Sequence, residues 1–175
     1  MGMIVLERYD PRWPSLAADA IAEARGATGG SLTSVEHIGS TSVPGLLAKP
    51  IIDLMAASPA LDDVRAHEPA LERLGYRLVE TGMPGRLMYR RDDRTPGYHL
   101  HVVTEESWAT RNERILRDHL RATPADRARY ARLKEELVAG AVDVDTYTRG
   151  KTDLIQQMMD AARDQRGLPR VPVWE

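Results

Sequence analysis

Between His37 and Asp53 the chain reads His-Ile-Gly-Ser-Thr-Ser-Val-Pro-Gly-Leu-Leu-Ala-Lys-Pro-Ile-Ile-Asp, and these residue types in this order suit the handling of a phosphate. Gly39 lets the backbone approach a ligand closely. Ser40 and Thr41 offer hydroxyls and amide N–H groups at the start of a short helix, whose positive end favours an anion. Lys49 adds a cation, and Asp53 would face the anion through a divalent metal such as Mg or Mn. The plainer meaning of the same residues is a strand-to-helix turn with a Ser or Thr cap.

His99 and His101 stand two residues apart and share a face of any strand. If that strand neighbours the one carrying Asp53, the three side chains converge as ligands for a metal (Mn, Zn, Fe or Ni), with Asp53, His101 and Lys49 placed for catalysis. Alternatively, one imidazole is hydrogen-bonded in the core and the other points into a cleft. His37 is expected to orient the turn, and His67 and His119 to lie on the surface.

The 24 basic residues comprise 21 arginines and three lysines, Lys49, Lys134 and Lys151. Lys134 falls within the apolar arc formed by Tyr130, Ala131, Leu133, Leu137 and Val138, and Lys151 within the arc of Tyr147, Leu154, Ile155 and Met158. Lysine is seldom buried without a partner, so either these side chains snorkel past apolar neighbours or they line an anion-binding cleft with Lys49. Asp53 is a candidate partner for one of them.

Positioning these groups requires strands over 35–38 and 50–56, the second apolar nearly throughout and covered on both faces. Before them come an extended arm at 3–6 and a helix from about 15 to 24, entered through two prolines and left through Gly26, Gly29 and Gly30. After them the pattern predicts a helix over 61–74 ended by Gly75, and strands over 76–80, 86–91 and 98–104. Helices over 105–121, 124–139 and 145–163 complete the chain. The fold class is α/β (α+β): a mixed sheet flanked by helices, with a helical C-terminal half. Residues 1–164 read as one domain and 165–175 as a tail, either docked or disordered.

A chain of 175 residues can bury a core unaided. It has no cysteine, which excludes disulfides, thiolate nucleophiles and Cys-ligated zinc. A net charge of −2 makes nucleic acid an unlikely partner. No signal peptide or long apolar run is visible, so no membrane partner is expected and the cytoplasm is the expected compartment.

The run Glu36 to Asp53 resembles the signature of the GrpB family. Tyr9-Asp-Pro-Arg-Trp-Pro14 precedes it. Downstream come His99-Leu-His101-Val-Val, Arg117-Asp-His-Leu-Arg121, Pro124, Tyr130, Leu133-Lys134, and Tyr147 with Lys151, in the family's order. The resemblance spans about 4 to 163. It implies a nucleotidyltransferase-like fold, found in some bacteria fused to dephospho-CoA kinase, without a general activity. It also favours Arg117 and Arg121 as phosphate contacts rather than a merely solvated face. Nucleotidyltransferases usually carry two carboxylates two residues apart on the second strand, and here Ile51 stands where the first would be. Leu116 and His119 stand where many relatives carry aromatics. Three functions follow: a metal-dependent transferase using a nucleoside triphosphate, a non-catalytic module holding a nucleotide or CoA-like ligand, or a small metal-dependent hydrolase built on Asp53, His99 and His101.

Overall fold

The computed structural model describes residues 3–140 and 142–174. Helix α1, Trp13–Ala27, carries Pro14 in its first turn, where the missing N–H costs nothing, and buries Trp13, Ala17, Ala20 and Ala24 along one stripe. It closes at Thr28, whose hydroxyl donates to the carbonyl of Ala24 at 2.8 Å. Strands β1, Ser34–Ile38, and β2, Ile51–Ser58, follow on either side of a single 3-10 turn over Ser40–Ser42.

The expected helix over 61–74 is two short ones, α2, Leu61–Arg65, and α3, Glu68–Arg73. Pro69 lies in the first turn of α3; it has no N–H to continue a helix and is tolerated only at such a start. Strand β3 covers only Arg77–Leu78, shorter than the expected 76–80. Strands β4, Arg86–Arg91, and β5, Gly97–Thr104, form as the alternation predicts.

The expected helix over 105–121 also divides, into α4, Glu105–Trp108, and α5, Asn112–Ala122, with Arg111 extended between them. Asn112 restarts the helix from a buried position. Its amide donates to the carbonyl of Pro172 at 3.2 Å and accepts from Arg163 at 2.8 Å, so a tertiary bond fixes the break. Helix α6 is Pro124–Ala139. The last helical stretch is α7, Val144–Gly150, capped by the Asp143 carboxylate on the N–H of Thr146, and α8, Thr152–Gln165.

The five strands form one mixed sheet in the order β1-β2-β5-β4-β3, in which β2 and β5 run parallel and the other pairs antiparallel. Alternation along β2 sends Ile52, Leu54 and Ala56 into a core with α1, α2 and α3. Asp53 and Met55 point to the opposite face, toward the C-terminal helices, whose own core joins Val43 and Leu46 to Ile115, Leu120, Tyr130, Met158 and Met159. The tail is held by Gln156, which donates to the carbonyl of Val171 and accepts from the N–H of Val173, each at 2.9 Å. Among the described residues no helix is long and apolar enough to cross a membrane.

Candidate functional site

The parallel register pairs Asp53 with His99 and Met55 with His101, so one sheet face presents a carboxylate and two imidazoles. His99 Nδ1 lies 3.1 Å from Asp53 Oδ1, and His101 Nε2 lies 3.8 Å from the same oxygen. Burial opposes ionisation of Asp53, yet hydrogen bonding and charge from the adjacent imidazoles hold its carboxyl well below the usual carboxylate range. The three ligand atoms lie within 4.8 Å of one another. His101 turns Nε2 toward Asp53 and keeps Nδ1, on the other side of the ring, buried without a hydrogen-bond partner. One carboxylate oxygen and two imidazole nitrogens are a donor set that suits a divalent transition metal.

The turn before β2 is built around the same carboxylate. Gly39 has φ +72°, and a Cβ there would sit 2.5 Å from Asp53 Oδ2, so glycine is required both for the backbone angle and for the close approach. Thr41 is buried and its hydroxyl is committed inward. It donates to the carbonyl of Ile51 at 3.0 Å and therefore accepts from His37 Nε2–H at 2.9 Å. His37 orients the turn by this bond. Burial, assisted by the Arg121 and Arg117 charges, lowers its pKa to about 4, which keeps it neutral. Thr41 thus braces the turn from inside, while Ser40 lines the neighbouring cleft.

All three lysines of the chain converge on one cleft of about 180 Å³, lined with them by Ser40, Asp53 and Tyr147. Lys134 is 2% exposed, and its Nζ donates to Ser40 Oγ at 2.6 Å and to the carbonyl of Leu47 at 3.0 Å. Lys49 and Lys151 lie over the Tyr147 ring at 4.6 and 4.4 Å, and Lys134 lies over Tyr130 at 4.4 Å. Among the described residues none of the three forms an ion pair; the carboxylate of Asp53 faces the two histidines instead. Burial and the other two ammonium groups push Lys134 well below the usual lysine range, and burial followed by Lys49 lowers Lys151 to about 8.

The arginines sit elsewhere. Arg117 is buried and bonds Glu36 at 2.6 Å, the carbonyl of His37 at 3.1 Å and the neighbouring Asp118, while Arg114 reaches the two oxygens of Glu36 at 3.0 and 3.1 Å. Arg121 donates Nε to the carbonyl of Ser42 at 2.9 Å. Neither Arg117 nor Arg121 lines the cleft. His119 is 6% exposed rather than a surface residue, because Nε2 bonds Asp126 Oδ2 at 2.7 Å. His67 is half-buried, with Nδ1 on the carbonyl of Asp63 at 2.8 Å. The sequence assigns no role to Glu36, although it stands beside the Gly-Ser turn and α5 carries Arg114, Arg117 and Arg121 at helical spacing.

Known proteins resemble this chain in sequence and in fold. The model of the family described as GrpB protein matches residues 3–161. A protein of Halalkalibacterium halodurans named UPF0157 protein BH1888 is 36% identical over 91% of this chain and 82% of its own length. UPF0157 protein SCO7215 of Streptomyces coelicolor is 37% identical over 87% and 80% respectively. The crystal structure of conserved protein GrpB from Enterococcus faecalis superposes with a TM-score of 0.85 at 28% identity, covering 93% of this chain and 99% of that one. With the family match running through nearly every described element and the same fold seen in a solved member, the chain belongs to the GrpB family.

Proposed function

We propose that this protein is a transferase that binds a nucleoside triphosphate together with a divalent cation and passes part of the nucleotide to an acceptor. The observation that carries this reading is the convergence of three lysines without ion-pair partners on a cleft that Asp53 also lines. Lys49, Lys134 and Lys151 neutralise the phosphates, and the Ser40 hydroxyl, held by Lys134 at 2.6 Å, supplies a further polar contact. Asp53, His99 and His101 would hold the cation. When bound, that cation neutralises phosphate oxygens and polarises the group under attack. Gly39 keeps the Asp53 carboxylate in place by leaving no side chain against it.

A second reading, a non-catalytic module for a nucleotide or CoA-like ligand, is favoured by Ile51. It lines the cleft on the same strand face as Asp53, leaving a single carboxylate where two-cation chemistry uses a pair. Thermal-shift titration with ATP, GTP, CTP and UTP, and with CoA, with and without Mg or Mn, separates the two. The transferase reading expects saturable, metal-dependent stabilisation by a triphosphate that disappears in Asp53→Ala. Metal-independent stabilisation retained in Asp53→Ala supports the binding module, and no stabilisation by any ligand sinks both.

A further inference from the structure

The lining of the cleft constrains which part of a ligand it can read. Three ammonium groups face a single carboxylate there, so the cleft carries an excess of cationic sites that one phosphate or one carboxylate cannot match. Two or three phosphates in a chain place several anionic oxygens within reach of all three. The volume, about 180 Å³, lies below the roughly 300–1,000 Å³ of pockets that enclose whole small molecules. It suits a phosphate chain and leaves the remainder of a nucleotide outside.

Recognising a nucleobase needs hydrogen-bonding groups for its edge or an open aromatic face for stacking. The cleft has no open aromatic face, and its hydrogen-bonding groups are three lysines, Asp53 and a Ser40 hydroxyl already engaged by Lys134, a set suited to anionic oxygens and a cation rather than to the mixed donors and acceptors of a base edge. Tyr147 is 1% exposed and carries Lys49 and Lys151 over its ring, and Tyr130 is 5% exposed beneath Lys134. No asparagine, glutamine or arginine contributes to the lining, and Ile51 adds only an apolar wall.

We propose that the cleft reads the phosphate chain alone, so that inorganic triphosphate binds it as tightly as any nucleoside triphosphate. The inference rests on the reading of the cleft as a phosphate site and narrows it: the base contributes no selectivity, and any discrimination among substrates belongs to the acceptor. The lysine electrostatics point the same way. Burial and mutual repulsion disfavour the charged lysines in the free protein, a penalty that a chain of phosphates relieves and a base does not.

Isothermal titration of the full chain at pH 7 with inorganic triphosphate, pyrophosphate, orthophosphate, ATP, GTP, CTP and UTP, each with and without Mg, tests this. Triphosphate and the four nucleotides are expected to bind within about threefold of one another, and orthophosphate at least about thirtyfold more weakly. Lys49→Gln and Lys151→Gln, checked for folding by circular dichroism, should each weaken triphosphate about tenfold or more. Preference for one nucleotide over triphosphate by about tenfold overturns the inference and leaves the transferase reading standing. Absence of binding by every phosphate ligand, or binding unchanged in both lysine variants, overturns both.

Discussion

Lysine is almost never buried without a paired charge, yet this chain brings all three of its lysines to one cleft without an ion pair among the described residues. The consequence is a pH response of two opposite signs. Lys151 is lowered to about 8 and Lys134 is held well below the usual lysine range, while unfolded lysines keep the ordinary value near 10.4. Between about pH 8 and pH 10 the unfolded chain therefore binds more protons at these residues than the folded one, and the ligand-free protein gains stability from them as pH rises. Affinity for triphosphate runs the other way, falling as pH rises through about 8 because Lys151 loses the charge that attracts the ligand. A melting series and a titration series over the same pH values check this; parallel slopes would contradict it. Much of this residue-level picture was legible in the sequence, since the scarcity of lysine and the helical phase of Lys134 and Lys151 marked them before any contact was visible. The role of Thr41 was not, because whether a hydroxyl faces a ligand or braces its own turn depends on where His37 and the Ile51 carbonyl lie.

Elements are tied to the site by one carboxylate. Glu36 on β1 receives Arg114 and Arg117 from α5, and Arg117 also bonds the carbonyl of His37, so the helix fixes the strand that leads into the Gly39 turn. Burial opposes ionisation of Glu36, but the hydrogen bonds from Arg114 and Arg117 hold its carboxyl below the usual range. The stabilisation from this group is thus complete above the unfolded glutamate value near 4.3 and is lost as pH falls through the depressed folded value. Glu36→Gln should cost about 2 kcal/mol in urea denaturation at pH 7, since it leaves the buried Arg117 cation with one partner fewer. A cost near zero would mean that Arg117 is satisfied by Asp118 and the carbonyl alone. The strands β1, β2, β4 and β5 are legible from alternation and apolar runs, but three helices that the periodicity makes continuous are each broken in two. At Pro69 and Gly150 the breaking residue was in plain view and was outweighed by apolar periodicity. At Asn112 the break depends on Pro172 and Arg163, which the local sequence does not announce.

At the scale of the whole molecule, the sheet separates two cores, and the site occupies the face between the sheet and the C-terminal helices. β2 and β5 bring Asp53, His99 and His101 together, the turn at Gly39 closes on them, and α6 and the α7–α8 junction deliver Lys134 and Lys151 from more than eighty residues downstream. The sheet half of the site could be anticipated, because a carboxylate and two histidines on adjacent strands need only one pairing to meet. The helical half could be anticipated only as a pattern of misplaced charges, since nothing local says that α6 and α8 fold back onto the β1–β2 turn. On the proposed reading both halves serve one ligand with its cation. Titration of Mn2+ followed by electron paramagnetic resonance, with and without triphosphate, tests it most directly. One tightly bound Mn2+ per chain is expected in the presence of triphosphate, with nitrogen coupling from His99 and His101, and its loss in Asp53→Ala. Mn2+ that binds no better with triphosphate than without it, or equally well to Asp53→Ala, would contradict the claim.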